Sequence, residues 1–330
     1  MANKSKKSAL EILNPLLKDP DVIEIMIDGP KRVTIQKFGS QIEDTDIRFK
    51  SNDEVLDVIK TVLKGVGAEL ENDKTIYDVR MNDNSRMLAV LSPAAVNGHS
   101  IVFRKFLIKQ ISWEKLFEYN SVTVELRDMI QRALNAHVNI LIAGGTASGK
   151  TTFTNRVVEL IPPEERVVAV EQTHEFQFDH PRSVFLEAGE SAGVTFGELL
   201  TAGSKMRPDW LIIGELYGVE TMRAMQILGN GHSAIATIHA DNSENALARI
   251  EMMCLMSNLG LGLDDIRQMI VSALRLILYQ ECLVPNGKRR VTQVTELQGL
   301  ENGRYILQPL MRYNHETDSF DITGAKPSWE

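Results

Sequence analysis

Residues 141–155 read LIAGGTASGKTTFTN, and Gly144, Gly149, Lys150 and Thr151 in them fall at the spacing G-x-x-x-x-G-K-[ST]. The chemistry this spacing suits is holding a phosphate chain. Glycines let the backbone turn and aim N–H groups at an anion, and a helix starting there adds the positive end of its dipole. Lys150 is then expected along the β- and γ-phosphates, and the Thr151 hydroxyl on Mg²⁺. Gly145, Thr146, Ala147 and Ser148 form the turn between, and Thr152 continues into the helix. The pattern alone turns up by chance in roughly one chain per hundred of this length. A buried strand before it and a helix after it separate it from a glycine turn that binds nothing.

Three further segments carry titratable groups at strand ends. VVAVEQTHEF puts Glu171 and Glu175 just past an apolar run, where open α/β sheets bind ligands. A carboxylate there polarises a water or holds a metal's shell. RPDWLIIGEL closes on Gly214-Glu215, a Walker B-like position with Glu where Asp is more usual. NGHSAIATIHAD brackets one strand between His232 and His239. A lone histidine is ordinarily structural; two around one strand, in a chain with seven, leave a structural role and sensing of a γ-phosphate both open.

The elements that must position these groups follow from periodicity. From about residue 114 the chain alternates helix and strand: VELRDMIQRALNA and TTFTNRVVELI are helical, and VNILIAGG, RVVAVEQ, DWLIIGEL and AIATIHA are continuous apolar runs. That is the pattern of a parallel sheet with helices on its faces. VPNGKRRVTQVTEL and LENGRYILQPL each carry Asn-Gly, a hairpin signal, and read as an antiparallel appendage. Ahead of this lies a smaller α+β part. SALEILNPLLKD is helical, and DVIEIMIDGPKRVTIQKFG is a hairpin turning at Gly29-Pro30. NDEVLDVIKTVLKGVGAEL is a helix capped by Asn52, with Val55, Leu56, Ile59, Val62 and Leu63 inward. TIYDVRMNDNSRMLAVLSP and HSIVFRKF return to strand alternation. The expected domains are 8–107, a linker at 108–115, and 116–330, with a frayed basic start at 1–7.

Composition narrows the classes. Hydrophobic residues make up 43% and charged residues 24%, as in an ordinary globular chain. No apolar run reaches the roughly 18 residues of a membrane span, and no secretory leader is legible, so a cytoplasmic protein is expected. Cys254 and Cys282 make no CxxC pair and read as buried free thiols. A net charge of −8 lacks the basic footprint of a nucleic-acid binder.

Taken in order, the phosphate loop, the acidic box, RPD…GE and GH…TIHA resemble the secretion-superfamily ATPases, the hexameric motors of type II secretion, type IV pili and type IV secretion. NALARIEMMCLMSNLGLGLDDIRQMIVSALRLILYQECL is most similar to the tight-adherence pilus branch (CpaF/TadA type), and the resemblance covers about residues 10 to 310. It implies a RecA-like P-loop NTPase domain behind the α+β domain, with ATP and Mg²⁺ as cofactors. It also implies a homohexamer docked on an inner-membrane platform protein, peripheral at the inner face of the membrane. ATP would sit between the two domains of a subunit. The resemblance assigns catalysis to Lys150, Glu175, Glu215 and His239, with Glu215 also on Mg²⁺ through water. It assigns nucleotide contacts to residues 144–152 and less directly to His232, and further contacts to Arg80, Arg86 and Arg104 of YDVRMNDNSRMLAVLSP and IVFRKF. Departures are Gln172 where the family has Asp, Tyr217 where it has Arg, and a GH-to-TIHA spacing about one residue short. They keep open a nucleotide-gated scaffold with weak turnover. A nucleic-acid-translocating RecA-like motor shares the loop and the sheet.

Overall fold

A computed structural model describes residues 9–37, 42–106, 111–189, 193–283 and 287–330. The expectations for residues 1–7, for most of the linker's start and for the turn at Asn286 fall outside these. The chain divides into two compact units, 1–109 and 110–330.

Strands that alternate inward and outward suit a sheet covered on one face, and the first unit is built that way. A 3₁₀ turn, Ala9–Leu13, leads into a short helix, α1 (Asn14–Lys18), with Pro15 in its first turn where no amide is needed. The strands are β1 (Val22–Asp28), β2 (Val33–Lys37), β3 (Ile42–Asp44), then, after α2 (Asn52–Gly65), β4 (Ile76–Arg80), β5 (Arg86–Val90) and β6 (Ser100–Arg104). They form one sheet in the order β3-β2-β1-β6-β5-β4, and α2 covers its apolar face with Val55, Val58, Ile59, Val62 and Leu63. The turn at Gly29 is forced: its φ is +72°, and a Cβ there would lie 2.5 Å from the Asn97 carbonyl oxygen. The helix cap differs from expectation. Ser51 caps α2, accepting the Glu54 N–H at 3.4 Å, while the Asn52 side chain accepts the His99 N–H at 2.7 Å. Leu56 lies at the margin of the core and Val58 takes the inward place.

In the second unit, α3 (Trp113–Glu118) and α4 (Val124–Asn135) precede β7 (Ile140–Gly144), α5 (Lys150–Val158), β8 (Val167–Glu171) and β9 (Ser183–Glu187). Then come α6 (Phe196–Lys205), β10 (Trp210–Ile213), α7 (Glu220–Gly229), β11 (Ala234–His239), α8 (Ser243–Met256) and α9 (Leu263–Ala273). The chain closes with β12 (Leu276–Leu283), β13 (Lys288–Glu301), β14 (Arg304–Asn314) and β15 (Ser319–Ile322). These strands make one nine-stranded sheet, β15-β14-β13-β12-β7-β11-β10-β8-β9. β7 is buried at every residue because both faces are covered: Leu141 and Ala143 face a core with α6–α9, while Ile140 and Ile142 face α3–α5. This is why its sequence is apolar without alternation.

Two expectations change here. The closing strands are not an appendage, since β12 runs parallel to β7 and carries β13–β15 onto the same sheet. β9, parallel to β8, was not legible because its residues are only partly buried at an edge. The Asn302-Gly303 turn joins β13 and β14 as expected, both residues at positive φ.

Candidate functional site

Parallel strands end on one side of the sheet, and the glycine loop, Lys150, Thr151, Glu171, Glu175, Glu215 and His239 gather there. β7 ends at Gly144, and the chain turns through Ala147 (φ +58°) and Gly149 (φ +95°) into α5, whose first residue is Lys150. Left-handed residues in such a turn bring successive N–H groups toward one concavity. Gly144 is required by close approach, because a Cβ would lie 2.4 Å from the Gln280 carbonyl oxygen and 2.5 Å from Ser148 Oγ.

Lys150 is buried, and its Nζ donates to the Gly144 and Gly145 carbonyls at 2.9 Å each and to His239 Nδ1 at 3.2 Å. Burial lowers its pKa to about 8, against the pull of Glu215 and Glu175. His239 ends β11, with Nε2 3.5 Å from Glu215 Oε1. Burial first and Lys150 second lower its pKa. A neutral ring with Nδ1 accepting from Lys150 leaves the Nε2 proton for Glu215. Glu215 follows Gly214 just beyond β10, one strand further along. The Thr151 hydroxyl lies 3.4 Å from Glu175 Oε2, and Thr152 stands in the first turn of α5.

Glu171 behaves differently from Glu175. It is 3% exposed, the last residue of β8, and its Oε1 accepts the N–H groups of Glu175 and Phe176 at 2.8 and 2.9 Å. Its Oε2 meets His174 Nδ1 at 2.8 Å. Gly214 leaves it room, since a Cβ there would lie 3.0 Å from Glu171 Cγ. Glu171 therefore holds the segment that carries Glu175, which is exposed and faces the loop's threonine.

His232 is not brought to this edge. It precedes β11 at the amino end of that strand, with Nδ1 3.1 Å from the Ile227 carbonyl and Nε2 3.2 Å from that of Ser204. A six-residue strand is about 17–20 Å long, so residues flanking its two ends cannot share one phosphate. Arg80, Arg86 and Arg104 belong to the first unit, where they stand opposite one another across β4, β5 and β6, with Glu24 of β1 next in the row. Arg86 pairs with Asp78 through two bonds of 2.5 and 2.6 Å, and Arg104 with Glu24 at 2.8 Å.

Two residues beside the loop were not foreseen. Gln280 of β12 stands opposite Gly144, and Arg289 of β13 donates its Nε–H to the Ala147 carbonyl at 2.9 Å. Arg289-Arg290 in a strand puts the two on opposite faces. Arg290 is buried, bound to Asp318 at 2.8 Å and to the Asn120 carbonyl. That alternation was the available signal for Arg289.

The loop from a central parallel strand into a helix, the lysine that opens the helix and the carboxylates on adjacent strand tips define a RecA-like P-loop NTPase fold behind an α+β domain. Within that class the chain belongs to the type II/IV secretion system protein family, which matches over residues 6–306. It is 28% identical over 326 residues to the uncharacterized protein MJ0900 of Methanocaldococcus jannaschii, covering 96% of this chain but only 58% of that protein. It is 27% identical over 296 residues to the probable conjugal transfer protein TrbB of Sinorhizobium fredii, covering 88% of each. The fold is that of the ATPase DotB of Yersinia pseudotuberculosis, with a TM-score of 0.66 at 16% identity over 92% of this chain and 82% of that one.

Proposed function

We propose that this chain is a Mg²⁺-dependent ATPase and the homohexameric motor of a pilus or secretion machine, working at the cytoplasmic face of the cell membrane against a platform protein. The observation that carries the reading is the meeting of Lys150, His239, Glu215, Thr151 and Glu175 around one glycine loop. Among the described residues no helix is long and apolar enough to cross a membrane.

The residues fit a nucleoside triphosphate and its cation. The loop admits no Cβ at Gly144, and Ser148 Oγ is buried without a hydrogen-bond partner. Among the described residues no three His, Cys or carboxylate groups converge as a metal cage. Mg²⁺ carried by phosphates and water needs none. When bound, the cation neutralises charge on the β- and γ-phosphate oxygens. On this reading Thr151 would hold it directly and Glu215 would hold it through water. The amides of Gly145 to Thr152 hold the phosphates and Lys150 lies along them. Glu175 accepts the proton of the attacking water, and His239 links Lys150 to Glu215. The same reading takes 8–107 and 116–330 as the domains, 108–115 as their linker, and the tight-adherence pilus branch as the nearest type.

A second reading rests on Tyr217, which is 62% exposed two residues after Glu215. A phenol there supplies no cation, and a nucleotide-gated scaffold follows if turnover depends on one. Steady-state hydrolysis of MgATP, with light scattering on the eluting protein, decides between them. Turnover together with ATP-promoted assembly near six subunits supports the motor. Binding without turnover supports the scaffold.

A further inference from the structure

β7 stops at Gly144, but its neighbour β12 does not. β12 runs on from Gln280, which faces Gly144, to Leu283. Over this overhang it pairs with the start of β13, Glu281 with Arg290, Cys282 with Arg289 and Leu283 with Lys288. The overhang is a two-stranded ledge standing beside the phosphate loop. Gln280, Cys282 and Arg289 share one of its faces, because residues opposite in an antiparallel pair and residues two apart in a strand point the same way.

The ledge presses on the loop at three points. The Gln280 carbonyl excludes any side chain at Gly144. The Arg289 stem lies along Gly149, where a Cβ would come within 3.0 Å of Cδ, and Gln280 Nε2 would be 3.2 Å away. The Arg289 Nε–H bonds the carbonyl of Ala147, a residue with a side chain held at φ +58°. A left-handed alanine is unfavourable on its own and persists only where its surroundings hold it. The bond to its carbonyl is such a hold, and it comes from 142 residues downstream. Ser148 Oγ and Gln280 Oε1, where the loop meets this wall, are both buried without a hydrogen-bond partner.

We propose that Arg289 is a positioning residue of the nucleotide site: the β12–β13 ledge is a wall of that site, and Arg289 clamps the phosphate loop in its anion-binding shape. The ligand is a nucleoside di- or triphosphate, so this rests on the function proposed above. Arginine suits the task because its flat Nε–H edge is fixed in direction, whereas a lysine ammonium is a point charge on a flexible stem.

The test uses the full chain and three variants, Arg289→Ala, Arg289→Gln and Arg289→Lys, each first checked by circular dichroism and melting. Amide exchange of residues 144–151 is measured without nucleotide, then Kd for MgADP and the steady-state constants for MgATP. Loss of one hydrogen bond to a positioned loop weakens binding by about 3- to 10-fold. Arg289→Ala and Arg289→Gln are expected to speed exchange and to raise Kd and KM by that factor, with kcat within about 2-fold. Arg289→Lys is expected to recover only part of the affinity. Unchanged exchange in Arg289→Ala and Arg289→Gln overturns the clamp. Full recovery by Arg289→Lys also overturns it, since a flexible donor then serves and the fixed Nε–H edge is not what holds the loop. A fall in kcat at constant Kd makes Arg289 a catalytic residue instead and overturns the positioning role. If the wild type binds no MgADP, the nucleotide reading falls, while the exchange comparison still decides whether Arg289 holds the loop.

Discussion

The two ends of the nine-stranded sheet are made from the same strands and do different work. At the amino end, polar side chains are settled. His232 lies between two backbone carbonyls, one of which accepts the single N–H of its neutral ring, and His137 stacks on Trp210 with Nδ1 3.1 Å from Ser233 Oγ. Asn139 accepts the Ala234 N–H and donates to the Ala273 carbonyl, both at 2.7 Å. At the carboxyl end, a buried lysine has its pKa lowered, Ser148 Oγ lacks a partner, and the contacts of Thr151 with Glu175 and His239 with Glu215 are 3.4 and 3.5 Å. Partnered neutral groups stabilise a fold; a charge buried at a cost to its pKa and a hydroxyl left unpaired are available to a ligand. β11 makes the point in one strand, with a histidine at each end and opposite surroundings.

The largest effect expected from this contrast is at Lys150. Lys150→Ala removes the cation nearest the strand tips of the carboxyl end and is expected to lower kcat/KM for MgATP by on the order of 10²- to 10³-fold, with little loss of melting temperature. His232→Ala should do the reverse. It takes the hydrogen bond from one carbonyl and leaves a small void, and is expected to lower the melting temperature by about 2–8 °C while kcat stays within about 2-fold. Hydrolysis and thermal melting on both variants check this. A catalytic loss in His232→Ala at unchanged stability breaks the division between the ends.

Next in size is the division between two carboxylates four residues apart. Glu175→Gln is expected to reduce kcat by about 10²- to 10⁴-fold, as loss of a general base does, and to leave stability unchanged. Glu171→Ala strips the acceptor from the Glu175 and Phe176 amides, and each buried unpaired amide costs about 1–3 kcal/mol. That variant should lose stability as well as turnover. Glu171→Gln keeps a carbonyl for those amides and should recover most of the stability. If Glu171→Gln is as inactive as Glu175→Gln yet fully stable, Glu171 reacts and does not merely position.

The loop, the strand tips and the layered sheet were legible because their signals are local. Gly144 to Thr151 is a contiguous pattern, and a strand buried on both faces shows it in composition. What was not legible depends on long-range placement. β9 is too exposed at its edge to read as apolar, and β12 was not distinguished as a strand parallel to β7. Arg289 reaches Ala147 only because β12 carries β13 onto the sheet, a fact no window of sequence holds. His232 was misplaced for the opposite reason: its nearness to His239 in sequence hid that a strand separates them. The cap of α2 moved by one residue because Asn52 has a better use, the His99 amide.

The smallest effect concerns what Lys150 costs the protein when nothing is bound. Its pKa is about 8 in the fold against an ordinary 10.5. Below pH 8 both folded and unfolded chains carry the proton, and the folded chain bears the full penalty of burying the charge. Between about 8 and 10.5 the unfolded chain binds more protons, so this contribution to stability rises with pH; above that range the penalty is gone. Lys150→Met should therefore melt a few °C above wild type at pH 7, and the gap should close as pH rises through that window. Saturating MgADP should reverse the order at pH 7, because only the wild type gains from the ligand. Melting curves at several pH values, with and without nucleotide, read all three. If Lys150→Met is instead the less stable at pH 7, the Nζ bonds to the Gly144 and Gly145 carbonyls outweigh burial. The carboxyl end would then be as settled as the amino end, and a charge buried at a cost would not be what marks the site.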